Sequence, residues 1–335
     1  MCDKKVSILV AVYNTEHFLR DCLDSLINQS HRDIQIICID DASTDGSLAI
    51  LNEYAALDNR IIVLRNEVNS GQSKARNHGL KYTTGDYICM VDSDDTLAPD
   101  AIAQLVNTFT QHPLTDCVLF NLVLQYPDGT LTPYHNRTSQ TVFSGDEALC
   151  LSIDWSIHGV YALRADIHKS IPYDESTRYT ADDITTKLHY HASREVRLSN
   201  ATYYYRQHDN SISNAITIRR FDVFVADFAL KKHLEKFNCK RHIMQRQERY
   251  RWHNLINYWY IFSTNKQFFT PQEQQEIEQS FDFHASTLDH TLLPLSLKLR
   301  TLFIPFLGIK GMKFWAKYYC SFRQFILKKK VITSV

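Results

Sequence analysis

The sequence predicts an α/β fold built on a parallel sheet, and three observations carry that prediction. Short apolar runs alternate with stretches at helical spacing through the first hundred residues, the pattern of βαβ units. Several of these runs end abruptly in polar or acidic residues, as strands do where they deliver side chains to the edge of an open sheet. The chain has 335 residues, 44% hydrophobic and 22% charged, an ordinary globular composition long enough for two structural units.

The elements follow in order. Val6 to Val12 reads as a buried strand ending at Tyr13 and Asn14. Phe18, Leu19, Cys22, Leu23 and Leu26 recur at helical spacing, giving an amphipathic helix to about Gln29. Ile34 to Ile39 is a second strand, ending in Asp40 and Asp41, and a helix follows from about Ser47 to Ala56. Ile61 to Leu64 is a third strand. The loop Asn66 to Gly71 opens a helix through Ala75 and Leu80. Tyr87 to Val91 is a fourth strand, introduced by the turn signal Thr83-Thr84-Gly85-Asp86. Right-handed crossovers between these strands bring their C-terminal ends to one crevice.

The fourth strand ends in Asp92, Asp94 and Asp95, three carboxylates within four positions. Like charges this close call for compensation. A hard divalent cation does this naturally, since Mg²⁺ takes one or two carboxylates together with substrate phosphates. The bland alternative is an acidic turn before a helix, with Thr96 to Asp100 as a helix entry and Pro99 near its first position.

Several classes are disfavoured. Asp41 to Gly46 superficially resembles an EF-hand loop, but Asn52 stands where the bidentate Glu belongs and a strand precedes the loop. No G-x-G-x-x-G or Walker A pattern occurs. The eight cysteines are scattered without a Cys-x-x-Cys pair, and Cys38 and Cys89 read as small buried hydrophobes. Met1 to Lys5 lead into the first strand without an apolar signal region, so the expectation is a reducing, cytoplasmic location. The sequons at Asn28, Asn136 and Asn200 are then coincidental. No apolar run approaches the ~18 residues of a membrane span.

Beyond Asp100 a helix runs to about His112, and Cys117 to Leu124 is another strand. Pro127 to Thr130 reads as a tight turn with antiparallel strands on either side. Thr132 to Gly145 is polar and reads as irregular. Trp155 to Leu163 and Val196 to Arg206 read as strands, and Asp182 to His191 as a helix.

Four segments now stand together: Val10 to Asn14, Asp40 to Ser47, Asn69 to Gly79 and Asp92 to Asp95. In this order they resemble the successive motifs of glycosyltransferase family 2, over about the first 215 residues. The resemblance implies a GT-A fold, a Rossmann-like nucleotide-binding sheet flanked by helices, and a nucleotide-sugar donor. It implies that Ala11, Tyr13 and Asp41 hold the base, with Asp41 accepting from a ring N–H. Asp92 would reach the ribose or the metal, and Asp94 would be the principal ligand of Mn²⁺ or Mg²⁺. Arg76 stands where the family places a basic side chain near the nucleotide; a salt bridge stabilising the local turn is the alternative.

Three later features fit the same family. Where its members have a Glu-Asp pair, this chain has Asp182 and Asp183. Asp183 aligns with the catalytic base, and Asp182 is left a role at the helix start. Tyr205 to Ser213 is similar to the family's Tyr-x-Tyr-Arg…Ser-x-Ser segment, so Arg206 and His208 would contact diphosphate or metal; His208 replaces a second Arg of many members. Trp155 is similar to a Trp on the acceptor side, with core packing as the alternative. Growing charge on the leaving diphosphate would be neutralised by the metal and Arg206, while Asp183 takes the acceptor proton from the opposite face. That geometry inverts the anomeric centre.

The expected domains are residues 1–215, catalytic, and 216–335, helical. Phe221 to Leu234, Ile243 to Phe262, Gln272 to Phe281 and Leu292 to Leu327 read as aromatic-rich helices. After Asp289 no acidic residue occurs, and Lys298, Arg300, Lys310, Lys313, Lys317, Arg323, Lys328, Lys329 and Lys330 interleave with aromatic and aliphatic residues. A basic, aromatic, amphipathic end reads as a membrane-surface element suited to a lipid-linked acceptor. A helical core and a homo-oligomer interface are the alternatives, and no nucleic-acid module is recognisable. The expected activity is transfer from a UDP-sugar to a saccharide or lipid-linked saccharide in surface polysaccharide synthesis. The competing readings are a nucleotidyltransferase on a similar fold and a nucleotide-sugar-binding protein without catalysis.

Overall fold

The computed structural model describes residues 4–176, 181–208, 217–297 and 309–318, and of Ala181 and Asp182 only the backbone. The chain divides into two compact units, Met1–Asn214 and Ala215–Val335.

In the first unit, strands β1 (Val6–Val12), β2 (Ile34–Asp40), β3 (Ile61–Arg65) and β4 (Tyr87–Met90) alternate with helices α1 (Glu16–Ile27), α2 (Ser47–Leu57) and α3 (Gln72–Leu80). The strands lie in the order β3-β2-β1-β4, all parallel. β1 and β2 are buried almost throughout. Parallel strands covered by helices on both faces have no solvent side, which is why these two read as unbroken apolar runs. α1 buries Leu19, Cys22, Leu23 and Leu26, the spacing of one helical face. Gly79 lets α3 lie close on the sheet: a Cβ there would meet Ile39 Cδ1 at 2.6 Å.

The register brings the strand ends level. Val12 pairs with Asp40, and Asp40 with Arg65. β4 ends beside Leu9, and the Val91 N–H donates to the Leu9 carbonyl at 3.0 Å. The residues following β1, β2 and β4 therefore emerge along one edge.

Beyond β4 the sheet becomes mixed. The elements are β5 (Thr96–Leu97), α4 (Ala101–Gln111), β6 (Thr115–Gln125), β7 (Leu131–Pro133), β8 (Val142–Ser144), α5 (Gly145–Ser152), β9 (Tyr161–Arg164), α6 (Ala165–Ser170), α7 (Ala181–Ala192) and β10 (Glu195–Arg206). The order continues β4-β9-β6-β10-β5, with β9 antiparallel to both neighbours and β10 parallel to β6. The turn expected at Pro127 to Thr130 joins β6 to antiparallel β7, with Gly129 at φ 84° and its N–H on the Tyr126 carbonyl at 2.9 Å.

Three local expectations are corrected. The strand expected from Trp155 to Leu163 forms only at Tyr161–Arg164, because Trp155 has φ 57°, a left-handed conformation outside the extended region. The segment expected to be irregular contains β7 and β8, and Ser144 and Glu147 form a capping box that starts α5. Pro99 precedes the helix: its carbonyl accepts from the Ser30 N–H at 2.8 Å, and Asp100 occupies the N-cap of α4.

The second unit is helical: α8 (Asp222–Lys236), α9 (Arg241–Thr264) and α10 (Pro271–Ser286), with residues 309–318 also helical. Thr270 and Glu273 form a capping box at the start of α10, with Pro271 in its first turn. Phe221, Trp252, Trp259, Phe262 and Phe281 centre the core, and Met312 and Ala316 pack into it. Inside, Glu248 takes Lys231 at 2.7 Å and Arg251 at 2.9 Å, so buried charges of both signs are matched. Of the cations expected at the basic end, Lys310, Lys313 and Lys317 are described; the rest of that stretch lies outside the described residues. No described helix is long and apolar enough to cross a membrane.

Candidate active site

The site is assembled from the loops along the common strand edge. After β1, Tyr13 is 47% exposed and Ala11 half-buried. Asn14 turns the chain with φ 54°. Its Oδ1 accepts from the Thr44 N–H at 2.8 Å, and its own N–H donates to Ser43 Oγ at 3.2 Å. The acidic loop after β2 is thereby fastened to the end of β1.

Asp41 is buried, and its carboxylate braces the loop after β3. It accepts from Asn66 Nδ2 at 2.7 Å, Ser70 Oγ at 3.0 Å, the Ser70 N–H at 3.1 Å and the Gly71 N–H at 2.8 Å. These bonds use most of the lone pairs a carboxylate offers. Contact with a ring N–H requires one of them to yield. A cavity of about 420 Å³ opens beside the start of α3, lined among others by Ser70, Gly71, Ser73, Lys74 and Glu175. Its size suits a small-molecule site.

α3 carries the basic side of the site. Gln72 and Arg76 are four residues apart and so share a face. Both reach Asp92 Oδ1, Gln72 Nε2 at 2.9 Å and Arg76 Nη2 at 2.6 Å. The Arg76 guanidinium lies over the Tyr173 ring at 5.4 Å. Arg76 thus forms a salt bridge with Asp92 at the strand edge, not one within the Asn77-His78-Gly79 turn.

Asp94 has a different partner: His208 Nε2 lies 3.0 Å from its Oδ2. The imidazole stacks on Phe18 with centroids 4.7 Å apart. Arg206 lies over the same ring at 5.1 Å and donates to Asp21 at 2.9 Å. Asp95 is buried beneath, accepting from Tyr203 Oη at 2.7 Å and from the Arg206 N–H at 2.8 Å. Burial, with the Asp92 and Asp94 charges behind it, pushes the Asp95 carboxyl up to about 9. Among the described residues no three His, Cys, Asp or Glu side chains form a ready-made metal site.

Asp183 sits in the first turn of α7, 19% exposed, in an ion pair with Lys187 one turn on. The Lys187 ammonium also lies 5.0 Å from the centroid of the Trp155 ring, which is 38% exposed. The Asp182 side chain lies outside the described residues.

The structure brings Asp92 to Arg76 and Asp94 to His208, and sets Asp183 and Trp155 together through Lys187. Sequence reading missed Gln72, Tyr203, Phe18 and Lys187. Gln72 and Lys187 carried a usable signal, each lying four residues from a candidate on one helix. Tyr203 and Phe18 carried none, because their contacts span 108 residues to Asp95 and the whole first unit to His208.

A family model described as glycosyl transferase family 2 matches residues 7–170. Poly(ribitol-phosphate) beta-glucosyltransferase of Bacillus spizizenii is 43% identical over 121 residues, 35% of this chain and 19% of that protein. The chain spans 35%, 16% and 19% of the lengths of the first curated relatives it matches. Among solved structures, S. aureus TarS 1-349 in complex with UDP-GlcNAc superposes with a TM-score of 0.73 at 19% identity, over 96% of this chain and 92% of that one. The mannosyltransferase PcManGT from Pyrobaculum calidifontis, in complex with GDP-Man and Mn²⁺, gives 0.52 at 15% identity, over 93% and 85%. These likenesses show the GT-A type of fold, a central sheet flanked by helices with a helical C-terminal region. The family match spans all four strand-edge motifs and strands β2 to β9, and residues 7–170 form a glycosyl transferase family 2 domain.

Proposed function

We propose that the protein is an inverting glycosyltransferase that moves a sugar from a UDP-sugar to a hydroxyl of a saccharide or lipid-linked saccharide, in the synthesis of a surface polysaccharide. The observation that carries this reading is the strand-edge cluster, with Asp92 on Arg76 and Asp94 on His208 at the edge of a family 2 sheet. The likeness to TarS, solved with UDP-GlcNAc, supports a UDP-linked donor, and the poly(ribitol-phosphate) glucosyltransferase supports a surface polymer.

Ala11, Tyr13, Asp41 and Arg76 hold the nucleoside in this reading. The donor set fits a divalent cation. Asp94 and Asp92 offer hard oxygens at the strand edge, and their side chains stay 30% and 36% exposed. Mg²⁺ or Mn²⁺ needs only one or two carboxylates when phosphate oxygens complete its shell. Asp94, with Asp92, would hold the ion, which when bound supplies Lewis-acid neutralisation of the leaving diphosphate. Arg206 adds positive charge at the same edge, and both it and His208 would contact the diphosphate or the ion. Asp183 accepts the proton of the attacking hydroxyl on the face away from the diphosphate, so the anomeric centre inverts. Residues 1–215 form the catalytic domain, and residues 216–335 a helical region with peripheral membrane contact at its basic end.

Release of nucleotide diphosphate from a panel of UDP- and GDP-sugars, with Mn²⁺ and with EDTA, tests the reading. Metal-dependent UDP release is expected. Release of pyrophosphate from nucleoside triphosphates instead would make the protein a nucleotidyltransferase, and binding without turnover would make it a nucleotide-sugar-binding protein without catalysis.

A further inference from the structure

We propose that Lys187 is a positioning residue that holds the Asp183 carboxylate and the Trp155 ring as one unit, giving the acceptor hydroxyl a base of fixed aim. This deepens the glycosyltransferase reading and rests on Asp183 being its base.

Lys187 has a side chain only 1% exposed. A buried ammonium persists only beside a compensating charge. Asp183 supplies it, and the ammonium also lies 3.4 Å from the Asp183 main-chain oxygen. The i,i+4 spacing, acid before base, is the favourable order on a helix. The pair is asymmetric: Asp183 is 19% exposed while Lys187 is covered. Substrate therefore meets the carboxylate, and the cation acts from behind it.

The second half of the unit is Trp155. Its φ of 57° is strained for a bulky residue and persists only where the surroundings over-determine it. Tyr134 Oη donates to its carbonyl at 3.3 Å, and Lys187 lies 5.0 Å from its ring centroid. A Cβ at Gly159 would stand 3.2 Å from Thr186 and 3.5 Å from the Trp155 ring, so that loop packs without slack. The ring is 38% exposed, offering a flat face beside the carboxylate.

Transfer then balances as follows. The acceptor oxygen bonds to the anomeric carbon while its proton passes to an Asp183 oxygen. The bond from the anomeric carbon to the diphosphate breaks, and its electron pair leaves with the diphosphate. Protonated Asp183 no longer compensates the Lys187 ammonium, which favours loss of that proton to solvent before the next turnover.

The test uses Lys187→Met, Lys187→Arg and Asp183→Asn in the full chain, with water as acceptor and UDP-glucose, UDP-N-acetylglucosamine and GDP-mannose as donors. Rates are expressed per nucleotide-binding site, so that loss of folded protein is not counted. Lys187→Met is expected to lower kcat by about a hundredfold, the scale of a misplaced reacting group. Donor KM should stay within about twofold, since only a step after binding is affected. Lys187→Arg should restore most of kcat, which a purely structural defect would not predict. A crystal structure of Lys187→Met should show the Asp183 carboxylate and Trp155 ring displaced. Wild-type kcat in Lys187→Met, or Asp183 and Trp155 unmoved in its crystal structure, overturns the proposal. Wild-type turnover in Asp183→Asn overturns instead the assignment of the base. If the parent hydrolyses no donor, the crystal structure decides.

Discussion

Arg76 and Asp92 meet at 2.6 Å across the strand edge, the guanidinium 1% exposed and the carboxylate 36%. The arginine is locked in place while its partner still faces the cleft. Removing one member of a fully buried pair costs about 3–5 kcal/mol. Asp92 can rehydrate, so Arg76→Met should cost less, roughly 2 kcal/mol. Urea unfolding measures this, and the same variant should bind UDP more weakly. Unchanged stability together with unchanged UDP affinity would show the pair to be idle.

Asp94→Ala should abolish the EDTA-sensitive part of nucleotide-sugar binding. His208 would then lose its carboxylate partner but keep its stacking on Phe18. Calorimetry with Mn²⁺ and with EDTA measures the effect. Equal affinity in both conditions, in both the parent and Asp94→Ala, would remove the cation from the reading.

The parallel half of the fold was legible in the sequence because burial on both faces leaves continuous apolar runs, and β1 and β2 are such runs. The strand-edge carboxylates were legible for a related reason: an acidic cluster after an apolar run has few structural explanations. What stayed hidden is the pairing. Asp92 and Asp94 read alike, yet one faces α3 and the other His208, and that division depends on β10 lying at the far side of a mixed sheet. Trp155 was misread as a strand residue because aromatic and aliphatic neighbours favour extended structure, while its left-handed backbone is imposed by the surrounding loop.

Unit one should lose stability as the pH falls below about 6.5. Burial pushes His158 and His189 down to about 4, and His168 is lowered further by burial and by its neighbours His189 and Arg76. A folded-state value below the unfolded one means that the unfolded chain takes up the proton first. Stability is therefore complete above about pH 6.5 and declines toward pH 4, by about 2 kcal/mol for each of His158 and His189 at pH 5. His189→Gln can keep an amide between the Ile171 carbonyl and Tyr161 Oη, the two partners of the imidazole. Urea unfolding at pH 7.5 and pH 5 should show a smaller difference for that variant than for the parent. Equal differences would show that His189 titrates normally.

The helix at 309–318 separates two roles that its composition mixes. One side belongs to the core: Met312 and Ala316 are buried, and Lys313 pairs with Asp282 at 2.6 Å and lies 4.4 Å from the Trp259 ring centroid. The other side exposes Phe314 at 62% and Tyr318 at 58%, their rings 4.3 Å apart, with Lys310 also exposed. Truncation would disturb both roles at once, so substitutions on the exposed side make the sharper test. Phe314→Ser with Tyr318→Ser should reduce pelleting with anionic liposomes at low salt and leave Tm nearly unchanged. Adding Lys310→Glu should weaken the partition by a further fivefold or so, from about 1 kcal/mol for each basic residue near an anionic surface. Unchanged pelleting in the triple variant would move the contact to the basic residues beyond 318. A parent protein that ignores the liposomes would end the membrane reading, and the exposed aromatic pair would then be tested as an interface between copies of the chain by sedimentation of the parent and the double variant.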